Sequence, residues 1–143
     1  MTASYRAARA FTLLEIIIVV GLIAALAGAL IVNLKDSDRA AKIKIEENYL
    51  TSGIDVPLMN YRLSTGTYPT TSQGLAALLQ KPADFRGKWR GPFTKHPLVD
   101  SWGSAYNYRF PGEHFESQPD IWSSGPNRIN EDGAGDDINN WDQ

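Results

Sequence analysis

Residues 11–34 read FTLLEIIIVVGLIAALAGALIVNL, 24 positions in which Glu15 is the only ionisable side chain. As a helix rising about 1.5 Å per residue this run would be about 36 Å long, against a bilayer hydrocarbon core of roughly 30 Å. Arg6 and Arg9 precede it, whereas Lys35, Asp36, Asp38 and Arg39 nearly cancel after it. The positive-inside rule therefore leaves the N-terminus in the cytoplasm and exports everything that follows. A cleaved secretory signal has a similar outline, but this run is longer than an ordinary h-region and has no small-residue cleavage site at its end. It also carries Glu15 five residues in, where an ionised carboxylate needs a partner. Gly21, Gly28 and Ala24, Ala25, Ala27 and Ala29 place small residues along the helix, either as ordinary membrane-helix composition or for close helix packing.

Outside the run, the 143 residues leave room for one small domain, which contains no cysteine. Disulfides, thiolate metal sites and Cys nucleophiles are thereby excluded, and a bound ion becomes a candidate fastening. Residues 113–143 hold eight acids against Arg128 alone, a charge of −7, while the preceding residues sum to +5 without clustering. That distribution gives no basic groove for nucleic acid.

The polar segment from Lys35 keeps good helix formers, so the helix should continue as a stem with Ile43 and Leu50, together with Ala40 and Tyr49, turned inward. Gly53 and Pro57 predict a break or bend between Gly53 and Leu58. Thr65–Pro69 reads as a turn, and Thr70–Leu79 as a capped short helix with Leu75, Leu78 and Leu79 on one face. In the loop from Lys81 to Pro97, Phe85, Trp89 and Phe93 can cover the edge of the core. Tyr106–Phe110 and Asp120–Ser124 are strand candidates joined through a Pro111-Gly112 turn, hence an antiparallel pair. The fold class is α+β: a long N-terminal helix packed on a small antiparallel sheet. Trp102, Trp122 and Trp141 would fill its thin core.

The acidic tail from Ser124 to Ile138 is dense in oxygen ligands and glycine and has nothing soft, which suits a hard cation such as Ca²⁺. It is not an EF-hand, because placing Asp132 at loop position 5 puts Arg128 at position 1 and Asn139 at position 12. Enzyme chemistry is not expected. His96 and His114 read as exposed loop residues, and acids gathered in one Gly-rich tail make no cleft for paired-carboxylate catalysis.

Phe11-Thr12-Leu13-Leu14-Glu15 followed by apolar residues resembles the class III signal of type IV pilins and type II secretion pseudopilins. Tyr68-Pro69-Thr70-Thr71-Ser72-Gln73-Gly74-Leu75, Asp100-Ser101-Trp102-Gly103-Ser104-Ala105-Tyr106 and Ser124-Gly125-Pro126-Asn127 through Trp141 are similar, in order, to blocks of the major-pseudopilin family. The resemblance implies a cytoplasmic leader over 1–10, cut between Ala10 and Phe11 by a prepilin peptidase that then N-methylates Phe11; Ala10 stands where the family usually has Gly. It further implies a transmembrane and assembly helix over 11–34 and a periplasmic domain over 35–143. Glu15 would compensate the Phe11 amine of a neighbouring copy. The implied function is that of a structural subunit in a periplasmic pseudopilus, a homopolymer anchored in the inner membrane. Its partners would be minor pseudopilins and an inner-membrane assembly platform, and its growth would help drive folded proteins across the outer membrane. The resemblance also implies a Ca²⁺ loop within 123–142, with ligands Asn127, Asp136 and Asp137, a main-chain oxygen of Ser124, and Asn130 or Asp132 as substitutes. Asn127 stands where the family usually has Asp, and Ser101 and Ala105 replace prolines of the family turn, which would loosen it. A type IV or competence pilin, or a membrane-anchored binding module, are the alternative readings.

Overall fold

The computed structural model describes residues 12–142, except for the side chains of residues 30 and 32–35. The leader over 1–10, the cut before Phe11 and the Phe11 amine lie outside the described residues. The described residues divide into two units that meet between Asp38 and Arg39. Helix α1 spans Leu13–Asn48, a π-helical turn covers Tyr49–Gly53, and α2 spans Asp55–Thr65. A 3₁₀ turn follows at Leu75–Leu78, and then come β1 (Asn107–Arg109), β2 (Asp120–Ser123) and β3 (Ile138–Asn139).

Within the first unit, α1 begins with a reciprocal cap. The Thr12 backbone N–H and hydroxyl both donate to Glu15 Oε2, at 3.0 and 3.1 Å, while Glu15 N–H donates to Thr12 Oγ1 at 3.2 Å. Thr12-Leu-Leu-Glu15 is a capping box, with the carboxylate also complementing the positive end of the helix dipole. The apolar side chains that follow are bare: Leu13 is 78% exposed, Leu22 60% and Leu26 58%. Among the described residues no helix is long and apolar enough to cross a membrane; Phe11 and the side chains at 30 and 32–34, which complete the apolar run, fall outside that description.

The irregularity predicted between Gly53 and Leu58 lies slightly earlier, and the helix widens instead of breaking. Ile54 N–H donates five residues back to Tyr49 O at 2.9 Å, and Ile54 keeps right-handed helical angles. The wide turn ends at Gly53, whose carbonyl is the one the Pro57 ring would meet in an unbroken α-helix; Pro57 itself sits in the first turn of α2, where no backbone N–H is needed. A β-carbon on Gly53 would lie 2.5 Å from the Tyr49 ring, so glycine is what lets that ring fold against the helix.

Leu50, Ile54, Leu58 and Tyr61 recur at helical spacing and are at most 2% exposed, packing with Tyr68, Leu75, Ala77, Leu78, Ile121 and Ile138. Ile43 and Tyr49 are half-buried against this cluster as expected, whereas Ala40 is exposed. Of the three leucines in the short helix, Leu75 and Leu78 are buried and Leu79 half-buried. The sheet has the order β1-β2-β3 and is antiparallel throughout, with Tyr108 opposite Ile121 and Ser123 opposite Ile138. The predicted pair is thus joined by a third, two-residue strand, and β2 is buried at every position.

Ser101 does the opposite of loosening its turn. Glu46, 3% exposed on α1, accepts from Ser101 N–H at 2.8 Å, from Ser101 Oγ at 2.5 Å and from the Tyr106 hydroxyl at 2.5 Å. Asp100 holds the turn from inside, accepting from Trp102 N–H and Ser104 N–H, while the Ser123 hydroxyl donates to its other oxygen at 2.6 Å. A proline at 101 would have neither donor. Burial, reinforced by the Glu46 contact, pushes the Tyr106 hydroxyl well above its ordinary range, so it stays a donor at every physiological pH. Ser101→Pro should leave Glu46 short of two donors and lower stability by about 2 kcal/mol, read as a fall of several degrees in Tm of the detergent-solubilised full-length chain. An unchanged Tm would show that Glu46 is held without them.

Candidate functional site

The loop that leaves β2 and returns as β3 gathers the oxygen-rich residues. Gly125 opens it with φ +60, and a β-carbon there would meet Asp136 O at 2.1 Å, so the two limbs touch where only glycine fits. Arg128 and Asp132 also take left-handed angles, φ 62 and 58. The Asn127 backbone N–H donates to Asp136 Oδ2 at 3.2 Å, and its side-chain amide donates to Asp136 Oδ1. Glu131 Oε2 accepts from Asp136 N–H at 3.1 Å, and Asp137 Oδ2 accepts from the N–H groups of Glu131 and Gly133, both at 2.9 Å. Asp136 and Asp137 face a cleft of about 530 Å³ shared with Ile43 and Glu47. Arg39 lies 3.9 Å from Asp136.

Asn127, Asp136 and Asp137 are therefore brought together, and Glu131, which no spacing in the sequence singles out, joins them. Ser124 is buried beside them, its hydroxyl accepting from Asn107. Asn130 and Asp132 are turned to other work: Asn130 Oδ1 accepts the Trp122 indole N–H at 2.8 Å, and Asp132 pairs with Arg109 at 3.6 Å. The chemistry of the donor set fits a hard cation, being all oxygen, acidic and turn-rich. One atom points the same way: Asp137 Oδ1 is buried and accepts no hydrogen bond, a cost of about 1–3 kcal/mol that a cation would remove. Among the described residues no three His, Cys, Asp or Glu side chains could hold a metal by themselves, so the Asn127 amide and main-chain oxygens would have to contribute.

A second polar centre has no sequence signature. Asp120 is fully buried and collects Glu113 N–H at 2.8 Å, His114 Nδ1 at 2.9 Å and Arg109 Nη2 at 3.3 Å. Burial alone would raise its pKa, but the hydrogen bonds from the His114 ring, the Glu113 and His114 backbone and Arg109 outweigh it and hold the carboxyl below its ordinary range. The His114 ring also stacks on Trp141 at 4.0 Å, and Trp141 covers Gly133 of the acidic loop. His114 is thus exposed, as read, yet structurally engaged; His96 is exposed and stacks on Tyr49 at 4.4 Å. Nothing in the sequence flags the pairing, since Asp120 and His114 are joined only by the reversal of the chain between β1 and β2.

Comparison with known proteins decides the class. The family model for the type II secretion system (T2SS) protein G matches residues 33–141. The chain belongs to this family. It is 36% identical to type II secretion system core protein G of Klebsiella pneumoniae, covering 93% of this chain and 94% of that protein, and 34% identical to the Vibrio cholerae counterpart, covering 92% and 90%. The crystal structure of the major pseudopilin from the type 2 secretion system of enterohaemorrhagic Escherichia coli superposes with a TM-score of 0.65 at 32% identity, covering 76% of this chain and 89% of that one. Family membership makes the chain a structural subunit of the type II secretion pseudopilus and not an enzyme, and the pilin and binding-module alternatives fall away.

Because the folded pKa of Asp120 is depressed, its contribution to stability is fully present above its unfolded pKa of about 4 and is lost as pH falls through the folded value. Asp120→Asn should destabilise the chain at pH 7 by on the order of 2 kcal/mol and flatten the loss of Tm between pH 5 and about pH 3. A variant with the wild-type acid profile would remove Asp120 from that role.

Proposed function

We propose that this protein G family member is cut between Ala10 and Phe11 by a prepilin peptidase, N-methylated at Phe11, and held by residues 11–34 in the inner membrane. The N-terminus then faces the cytoplasm and residues 35–143 lie in the periplasm. The subunit passes from the membrane into a homopolymeric pseudopilus through an inner-membrane assembly platform, together with minor pseudopilins. Growth of that fibre helps drive folded proteins across the outer membrane. The observation that carries this reading is the bare apolar surface of α1: ten large hydrophobic side chains from Leu13 to Leu26 are each at least half exposed, and only lipid or other copies of the same helix would cover so much. Added β-carbons at Gly21 and Gly28 meet nothing within 4 Å, which leaves room for close helix approach.

Glu15 supports the same reading in more detail. Its Oε2 is committed to the Thr12 cap, while no hydrogen bond reaches Oε1 among the described residues. One carboxylate can start its own helix and still offer an oxygen to the Phe11 amine of a neighbour. Glu15→Ala should still insert yet yield few fibres, and Glu15→Gln, which keeps a capping oxygen without charge, should separate the two roles. Wild-type fibre levels in both would sink the pairing. Intact mass of the membrane-extracted protein should begin at methylated Phe11; a chain starting at Met1 would contradict processing.

Ca²⁺ is the cation we assign to the acidic loop, held by Asn127, Asp136 and Asp137 with main-chain oxygen from Ser124 and with Glu131 at the rim. Bound there, it would neutralise adjacent carboxylates and tie the end of the chain to the sheet. At a free concentration 100-fold above Kd it would add about 2.7 kcal/mol of stability. Chelation should lower Tm, Mg²⁺ should not restore it, and Asp137→Ala should abolish the difference; a Tm indifferent to chelator would refute the site.

A further inference from the structure

The segment between the short 3₁₀ helix and the Asp100 turn carries a feature the fibre reading does not use. Residues 81–95 hold five bases against one acid. From Phe85 to Arg90 the chain alternates: Phe85 and Trp89 are half-buried, while Arg86, Lys88 and Arg90 are exposed. The inward side is built to fix this strip. Trp89 Nε1 donates to Ala77 O at 3.1 Å and Phe93 N–H to Leu78 O at 2.8 Å. The Phe85 and Trp89 rings each lie over the glycine two residues on, where a β-carbon would sit 2.8 Å from the Phe85 ring at Gly87 and 2.3 Å from the Trp89 ring at Gly91. Among the described residues Arg86, Lys88 and Arg90 enter no ion pair.

We infer that this strip of Arg86, Lys88 and Arg90 is a docking surface for the acidic 113–142 face of a second copy of the chain. Charge selects the occupant. The strip is uniformly positive, so it cannot meet its own counterpart across a two-fold axis, whereas residues 113–142 of the same chain carry −7, spread over the reversal before β2, β2 itself, the loop to β3 and the residues after it, with Glu116 and Asp142 exposed. Strip against acidic face is a head-to-tail contact between different surfaces, the kind that propagates into an open filament instead of closing into a dimer. Opposed potentials fix the register of such a contact and speed its formation. The inference rests on the pseudopilus reading, which supplies the neighbouring copy.

The test uses the full-length chain in cells that make the secretion apparatus, with sedimented fibres quantified and folding checked by a cooperative melt. Triple reversal to Glu at Arg86, Lys88 and Arg90 should lower fibre yield on the order of tenfold or more, and adding Glu116→Lys with Asp142→Lys should recover it. Since the chain has no cysteine, Lys88→Cys combined in turn with Glu116→Cys, Ala134→Cys or Asp142→Cys should give a disulfide ladder of multimers from at least one pair. Wild-type fibres from the folded triple variant would overturn the inference alone. Loss without rescue and without any ladder would also overturn it, by assigning the strip to another anionic partner such as lipid headgroups. Absence of fibres from the wild type would overturn the pseudopilus reading, and this inference with it.

Discussion

One helical face has to hold everything that folds after α1. Leu50, Ile54, Leu58 and Tyr61 form the only continuous buried ridge among the described residues, and three strands of two to four residues lean on it. A sheet of that size has little stability of its own. The ridge is in turn dependent on the π-helical turn at Tyr49–Gly53, because one extra residue per turn rotates everything downstream by about 100° relative to α1. Without that widening, the residues that now face Ile121 and Ile138 would point elsewhere, and Pro57 would strike the backbone.

Polar fastening completes what apolar burial begins. Glu46, Asp100 and Asp120 are buried carboxylates, and each is surrounded by donors drawn from a different stretch of chain. Glu46 ties α1 to residues 101 and 106, Asp100 ties its turn to β2, and Asp120 gathers β1 and the reversal after it. Buried charges are tolerable only when so satisfied, which makes each one specific: it accepts a single arrangement of its neighbours. The acidic loop extends the same logic to the last part of the chain, where the unpartnered Asp137 oxygen is the exception.

The coarse architecture was legible because it depends on period and punctuation. The apolar run, the spacing of Ile43 and Leu50, the Leu75 and Leu78 face and both major strands follow from patterns that local physics enforces. What escaped depends on distance in sequence or on handedness of a turn. Glu46 lies 55 residues from Ser101, and no periodicity connects them. The two-residue β3 is too short to carry a signal, and Pro57 marks the helix irregularity although the wide turn that accommodates it lies upstream, at Tyr49–Gly53. The Thr12–Glu15 cap is a different case: the same four residues that resemble a recognition and assembly signal also spell a capping box. In the loop, residue type locates the oxygen cluster, while the contact of Glu131 with Asp136 N–H and that of Asn130 with the Trp122 indole depend on how the backbone turns.

Fastening a domain by carboxylates instead of sulfur bridges changes how it can be made. No covalent bond has to be formed, so the chain needs no oxidant and no isomerase to sort wrong pairings, and a mispaired carboxylate is released as fast as side chains reorient. Such a domain can mature at the same rate in reducing and oxidising surroundings. A subunit required in many identical copies can then be held in reserve and taken up on demand, its supply set by synthesis and not by the redox machinery of the compartment it enters.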